Sequence, residues 1–197
     1  MYALRSIIFV IALTFSVGLV FDGCKKEDNP AAPPPTVEHP PATTVYFIVT
    51  QLDNSGNPTT IVDTCVVRDT TQTSIKKFVD GVLNLSAGKV YAGTFELYDE
   101  TKNPAENINA DIISEKDAHL FKFQPTGGID TNRVKISNLD LDSKGKPFGL
   151  NFRITVTAGG AATGVIHVQL EHHDDGNKSG TEFDLDLDRD FPVALAP

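Results

Sequence analysis

Apolar and polar residues alternate one by one through much of this chain, most cleanly where Phe148, Leu150, Phe152, Ile154 and Val156 face one way and Gly149, Asn151, Arg153, Thr155 and Thr157 the other. A period of two puts successive side chains on opposite faces of an extended backbone, so this segment reads as a half-buried strand. Ala158-Gly159-Gly160-Ala161 turns the chain, and Ile166, Val168 and Leu170 resume the alternation against His167, Gln169 and Glu171. A polar turn from Asp174 to Gly180 leads to Phe183, Leu185 and Leu187 alternating with Asp184, Asp186 and Asp188. Consecutive strands in this order predict an antiparallel meander. Further strands are expected at 45–52, 60–68, 82–85, 89–98, 119–124 and 132–142, the last bulged between Ile136 and Leu139, where the apolar phase shifts. Short strands at this spacing predict an all-β, antiparallel β-sandwich over residues 45–197.

One short inserted helix interrupts the strands. Asn103 is placed to cap it, Pro104 suits its first position, Glu106 completes a capping box, and Ile108 and Ile112 lie one turn apart. His119 follows the helix, where a cation favours the carbonyl dipole, and a structural role is expected for it.

Leu85-Ser86-Ala87-Gly88-Lys89-Val90-Tyr91, with Gly93, Phe95 and Leu97 on the face of the tyrosine, resembles the tyrosine corner of immunoglobulin-like and fibronectin-III-like sandwiches. The resemblance implies that the Tyr91 hydroxyl bonds to backbone a few residues upstream, with Gly88 in the turn.

Ahead of the strands, Ser6 to Phe21 is apolar and is closed by Asp22, too short a run for a membrane span of about 20 residues. Residues 1–23 read as a signal peptide cut before Cys24. Gly23-Cys24 resembles the lipobox of bacterial lipoproteins, in which the cysteine becomes the acylated, palmitate-bearing first residue. Lys25-Lys26-Glu27-Asp28 is similar to the signal that sends Bacteroidota lipoproteins to the outer face of the outer membrane. Residues 24–44 carry Pro30, Pro33, Pro34, Pro35, Pro40 and Pro41 and read as a tether. At about 3.1 Å per residue, a polyproline-like chain from Asn29 to Thr44 reaches roughly 50 Å.

Loss of residues 1–23 removes only Arg5 and Asp22 among charged residues, so the net charge stays at −9, and no nucleic-acid partner is expected. With Cys24 lipidated, Cys65 has no intramolecular partner. Its strand-like setting, Ile61 to Val67, marks it as a small buried hydrophobe.

The runs Glu96 to Ile108, Asp117 to Phe121 and Asp142 to Leu150, with the glycine turn before Thr163-Gly164 and the segment Glu171-His172-His173, resemble an uncharacterised family of Bacteroidota lipoproteins across most of residues 82–195. Its members often carry the label of type 1 periplasmic binding domains. A bilobed binding protein needs alternating strands and helices, and one helix in roughly 150 residues keeps the expectation all-β. The resemblance brings no catalytic residues with it.

No Gly-x-Ser-x-Gly elbow, zinc-protease His-Glu pair or phosphate-binding glycine loop occurs in the sequence, and a non-enzymatic protein is expected. Asp140-x-Asp142-x-Lys144-Gly145 opens like a calcium loop, but Lys144 and Asn151 stand at ligand positions, so a polar hairpin is expected instead. His167, Glu171 and His173 share a strand face, His167 and Glu171 about 13 Å apart and Glu171 and His173 about 7 Å apart. A returning strand could set Glu182 or Asp184 beside Glu171 and His173 to hold a divalent metal, although a solvated acidic edge that blocks strand pairing is the plainer expectation. Taken together, the sequence predicts an outer-membrane lipoprotein that binds a partner or small ligand, as an accessory to an outer-membrane receptor, with metal handling as the alternative.

Overall fold

The computed structural model describes residues 42–68 and 78–197. In chain order its elements are β1 (Thr44–Leu52), β2 (Pro58–Arg68), β3 (Phe78–Asp80), β4 (Leu83–Ser86), β5 (Val90–Asp99), β6 (Glu106–Asn107), α1 (Asn109–Ser114), β7 (His119–Gly127), β8 (Val134–Ser137), β9 (Asn151–Val156), β10 (Ala162–His172) and β11 (Asp184–Ala196). They build an all-β sandwich with one short helix. The larger sheet runs β3-β2-β1-β5-β9-β8 with β6 on the end of β5, and the smaller runs β4-β11-β10-β7. Every described pairing is antiparallel except β4 with β11, which is parallel.

Period-two burial fixes what lies between the sheets. Phe47, Phe95 and Phe152 point in from the larger sheet and meet Phe121, Phe123 and Phe191 of the smaller one. Ring centroids of Phe47 and Phe95, neighbours on paired strands of the larger sheet, are 4.7 Å apart, and those of Phe95 and Phe121 are 5.1 Å apart across the sandwich, so the aromatic contacts run both along one sheet and between the two. Each such buried ring stabilises the fold by about 2–3 kcal/mol.

Tyr91 joins the two sheets. It is buried at the start of β5, and its hydroxyl accepts a hydrogen bond of 2.8 Å from the Ser86 N–H at the end of β4. Between them Gly88 has φ +74°, a left-handed conformation that glycine adopts without steric penalty, and its N–H donates to the Val156 carbonyl. Removing the hydroxyl leaves the Ser86 amide without its acceptor. Tyr91→Phe is expected to destabilise the domain by about 1–3 kcal/mol, read as a lower urea midpoint; an unchanged midpoint contradicts a stapling role.

Several boundaries differ from the sequence reading. The strands at 148–156 and 166–170 do not form a meander. β9 pairs with β5 and β8, whereas β10 pairs with β11 and β7, so the Ala158–Ala161 turn carries the chain from one sheet to the other. Alternation looks the same along a strand whichever sheet it joins. The strand expected over 132–142 ends at Ser137, because Asn138 has φ +51° and leaves the ladder. α1 begins at Asn109, not beside Asn103 and Pro104: Glu106 and Asn107 pair with the end of β5 instead, and Ile108 caps the helix without a side-chain bond. The last tether residues also pack. Ala42, Thr43 and Thr44 are buried, with the Thr43 N–H donating to the Tyr98 carbonyl and its hydroxyl accepting from the Glu100 N–H.

Candidate metal and ligand site

The chemistry-bearing residues gather at one end of the smaller sheet. β10 and β11 pair in register from Ala162↔Leu195 to Leu170↔Leu187, and then the register shifts so that Glu171 faces Leu185 and His172 faces Asp184. Asp186 is the extra residue of this bulge. An uninterrupted ladder would have set Asp184 opposite His173; the bulge moves it to the face of His172.

The sequence-derived metal set is therefore split. Glu171 and His173 do come together, His173 Nε2 lying 3.1 Å from Glu171 Oε2. Both are buried, so the expectation of a solvated edge fails for them. Lys122, on the neighbouring strand β7, places its ammonium 2.6 Å from the other Glu171 oxygen, and both carboxylate oxygens thus have partners. Phe183 covers this group, its ring 5.5 Å from that of His173 and 5.4 Å from the Lys122 ammonium. Glu182 and Asp184 are exposed and line a separate cleft of about 450 Å³ together with His172, Asp174, Asp175, Thr181 and Phe183.

A different pair of histidines faces inward from that cleft. His119 at the start of β7 is opposite His172 in register, and their rings stack at 4.5 Å. His119 is fully buried. Its Nδ1 lies 3.1 Å from the carbonyl of Glu115, the residue that ends α1, so the ring also closes the helix as its position suggested. Its Nε2 is 3.0 Å from Asp186 Oδ2, which in turn is 4.0 Å from His172 Nδ1. The Glu115 side chain completes the group: one donor atom each from Glu115, His119 and His172 lie within 4.8 Å of one another.

The remaining candidates have structural partners. His167 sits on the outer face between Asp190, 2.8 Å away, and Asp188, 3.4 Å away, and is not near Glu171. Cys65 is buried and its thiol is pushed up to about 11 by desolvation and by the charges of Asp63 and Asp80, which keeps it from acting as a nucleophile. In the loop that opens like a calcium site, Asp140 accepts from the amides of Gly149 and Asn151, and Asp142 from those of Lys144 and Lys146. Lys178 supplies the cation there: its ammonium lies 2.9 Å from Asp142 Oδ2 and donates to the carbonyls of Lys116 and Pro147. Cys24 lies outside the described residues, and within them no helix is long and apolar enough to cross a membrane.

No family model and no curated protein matches this chain. Among solved structures, domains 4 and 5 of the S-layer protein SbsC resemble it at 12% identity over 77% of each chain, with a TM-score of 0.31.

The inward histidine group had no linear signal. His119 and His172 are brought side by side by the pairing of β7 with β10, and Asp186 turns toward them through a bulge; neither register is written in residue spacing.

Proposed function

We propose that this chain is a lipid-tethered, non-enzymatic binding module displayed at the outer-membrane surface, and that its ligand is cationic: a basic segment of a partner, such as an outer-membrane receptor, or a small molecule bearing positive charge. The observation that carries this reading is the cleft at the end of the smaller sheet, where Asp174, Asp175, Glu182 and Asp184 ring His172 and the exposed ring of Phe183. Four carboxylates around one cavity attract positive charge, and an aromatic face beside them adds a surface for a cation to rest on. The negative net charge of the chain acts in the same direction at longer range. Sequence supports the tether, through Gly23-Cys24 and the proline-rich stretch that follows.

The test is calorimetric titration of the full chain in detergent with a linear polyamine and, in parallel, with neutral glycans. The polyamine is expected to bind, more weakly as salt rises, and the double variant Glu182→Gln, Asp184→Asn to lose roughly threefold to tenfold in affinity, as two solvent-exposed ion pairs disappear. Glycan binding with no polyamine binding overturns the cationic assignment. A second reading, metal handling, is favoured by one observation: His172 belongs both to the cleft wall and to the inward histidine group.

A further inference from the structure

Metal sites of the zinc class need three or four nitrogen or carboxylate donors able to close to bond distance, ring orientation fixed from behind, and a path for the ion. The inward group supplies each of these. His119 is buried with Nδ1 against the Glu115 carbonyl. A carbonyl only accepts, so Nδ1 carries a proton, and Nε2 lies 3.0 Å from Asp186 Oδ2. At that distance the ring nitrogen and the carboxylate hold a cation between them, a proton on the ring or a metal ion in its place. Holding a ring through Nδ1–H to a carbonyl while Nε2 binds is the usual arrangement behind a metal-ligating imidazole.

An independent observation comes from the helix. Glu115 Oε2 is buried and has no hydrogen-bond partner, although its residue contributes a donor to the cluster. A buried carboxylate oxygen without a partner is costly unless a cation or a proton joins it. The ion's path is the cleft, whose wall includes His172 and whose carboxylates concentrate cations at its mouth.

From these observations we infer that Glu115, His119, His172 and Asp186 bind one divalent transition-metal ion of the zinc type. The assignment deepens the binding function proposed for the cleft and rests on it. Two imidazoles exclude calcium and magnesium as the preferred ions, since these take oxygen ligands. Tetrahedral bonds of about 2.0–2.2 Å set ligand atoms roughly 3.3–3.6 Å apart. The Asp186 distances of 3.0 and 4.0 Å bracket that range. Closing the set requires one ring to turn, because lone pairs of rings only 21° from parallel run side by side instead of converging. His172, at the cleft wall, is the ring assigned to turn, since His119 is fully buried with a partner at each ring nitrogen.

Calorimetric titration of the full chain in detergent with zinc chloride, together with histidine ring NMR of the same sample, tests the site. One equivalent is expected to bind in the presence of excess calcium, with the ring signals of His119 and His172 moving together while those of His167 and His173 stay in place. His172→Gln and Asp186→Asn should each weaken binding about a hundredfold or more, beyond the loss typical of a supporting residue. Glu182→Gln with Asp184→Asn should keep the one-equivalent site while weakening polyamine capture, which separates failure of this assignment from failure of the cleft as a ligand site. Heat without fixed stoichiometry that added salt abolishes, movement of His167 or His173 signals instead, or one-equivalent binding that survives both ligand substitutions overturns it.

Discussion

Lys178→Met destabilises the folded chain by about 3–5 kcal/mol, the range found when one partner of a buried ion pair is removed and the other is left behind. The Lys178 side chain is 3% exposed and that of Asp142 0%, and the ammonium is held by three oxygens contributed by Asp142, Lys116 and Pro147. Those contacts fasten the turn that follows β10 to the loop between β8 and β9 and to the segment after α1, so their loss also releases three chain segments from one another. The pair makes a pH signature as well. Burial pushes the Asp142 carboxyl up, but the Lys178 ammonium and the amides of Lys146 and Lys144 outweigh it and bring the group down to about 2 from an ordinary 3.8. A carboxyl lowered on folding stabilises the folded state above about pH 4 and ceases to do so as pH falls toward 2. In Lys178→Met the burial remains and the ammonium is gone, so acid unfolding begins at higher pH. Urea denaturation at neutral pH and an acid titration followed by circular dichroism measure both effects. The double variant Lys178→Met, Asp142→Asn should regain part of the stability, since no unpaired charge is left buried. Equal urea midpoints for wild type and Lys178→Met would show that the pair is merely incidental.

Much of the sandwich was legible because burial imposes a period that sequence carries directly. β1, β2, β4, β5, β7, β9 and β10 fall where alternation of residues such as Phe47, Phe95 and Phe152 places them, and the Ser86-to-Tyr91 spacing led to the bond that ties the sheets. Sheet membership was not legible. Phe152 and Ile166 carry the same pattern on β9 and β10, yet one strand lies in each sheet. The site suffered more than the fold, because it depends on cross-strand partners. A single bulge residue, Asp186, separated Asp184 from His173 and created a contact with His119, whose position 67 residues away gives no hint of it. Glu171 looked like part of a solvated acidic face, and the Lys122 that covers it comes from a strand chosen by topology.

The second large effect concerns Cys24. Each methylene of an acyl chain that enters the bilayer contributes about 0.8 kcal/mol, and two or more chains hold a protein on a membrane where one gives only marginal binding. A cysteine lipidated in this way dominates where the whole domain resides, whatever the composition of the sandwich. Cys24→Ala is therefore expected to change location in an all-or-none fashion, leaving the chain either soluble or retained with residues 1–23 attached, while the stability of the sandwich is unaltered. Fluorescence or circular dichroism melting of the two proteins checks the last point.

Metabolic labelling with palmitate, followed by detergent phase partitioning and by protease treatment of intact cells, addresses surface tethering itself. The wild-type chain should take up label, enter the detergent phase and lose its domain to external protease, and Cys24→Ala should do none of these. Mature wild-type protein that is free of label, or that partitions as Cys24→Ala does, would remove the lipid anchor and with it the surface-displayed binding module.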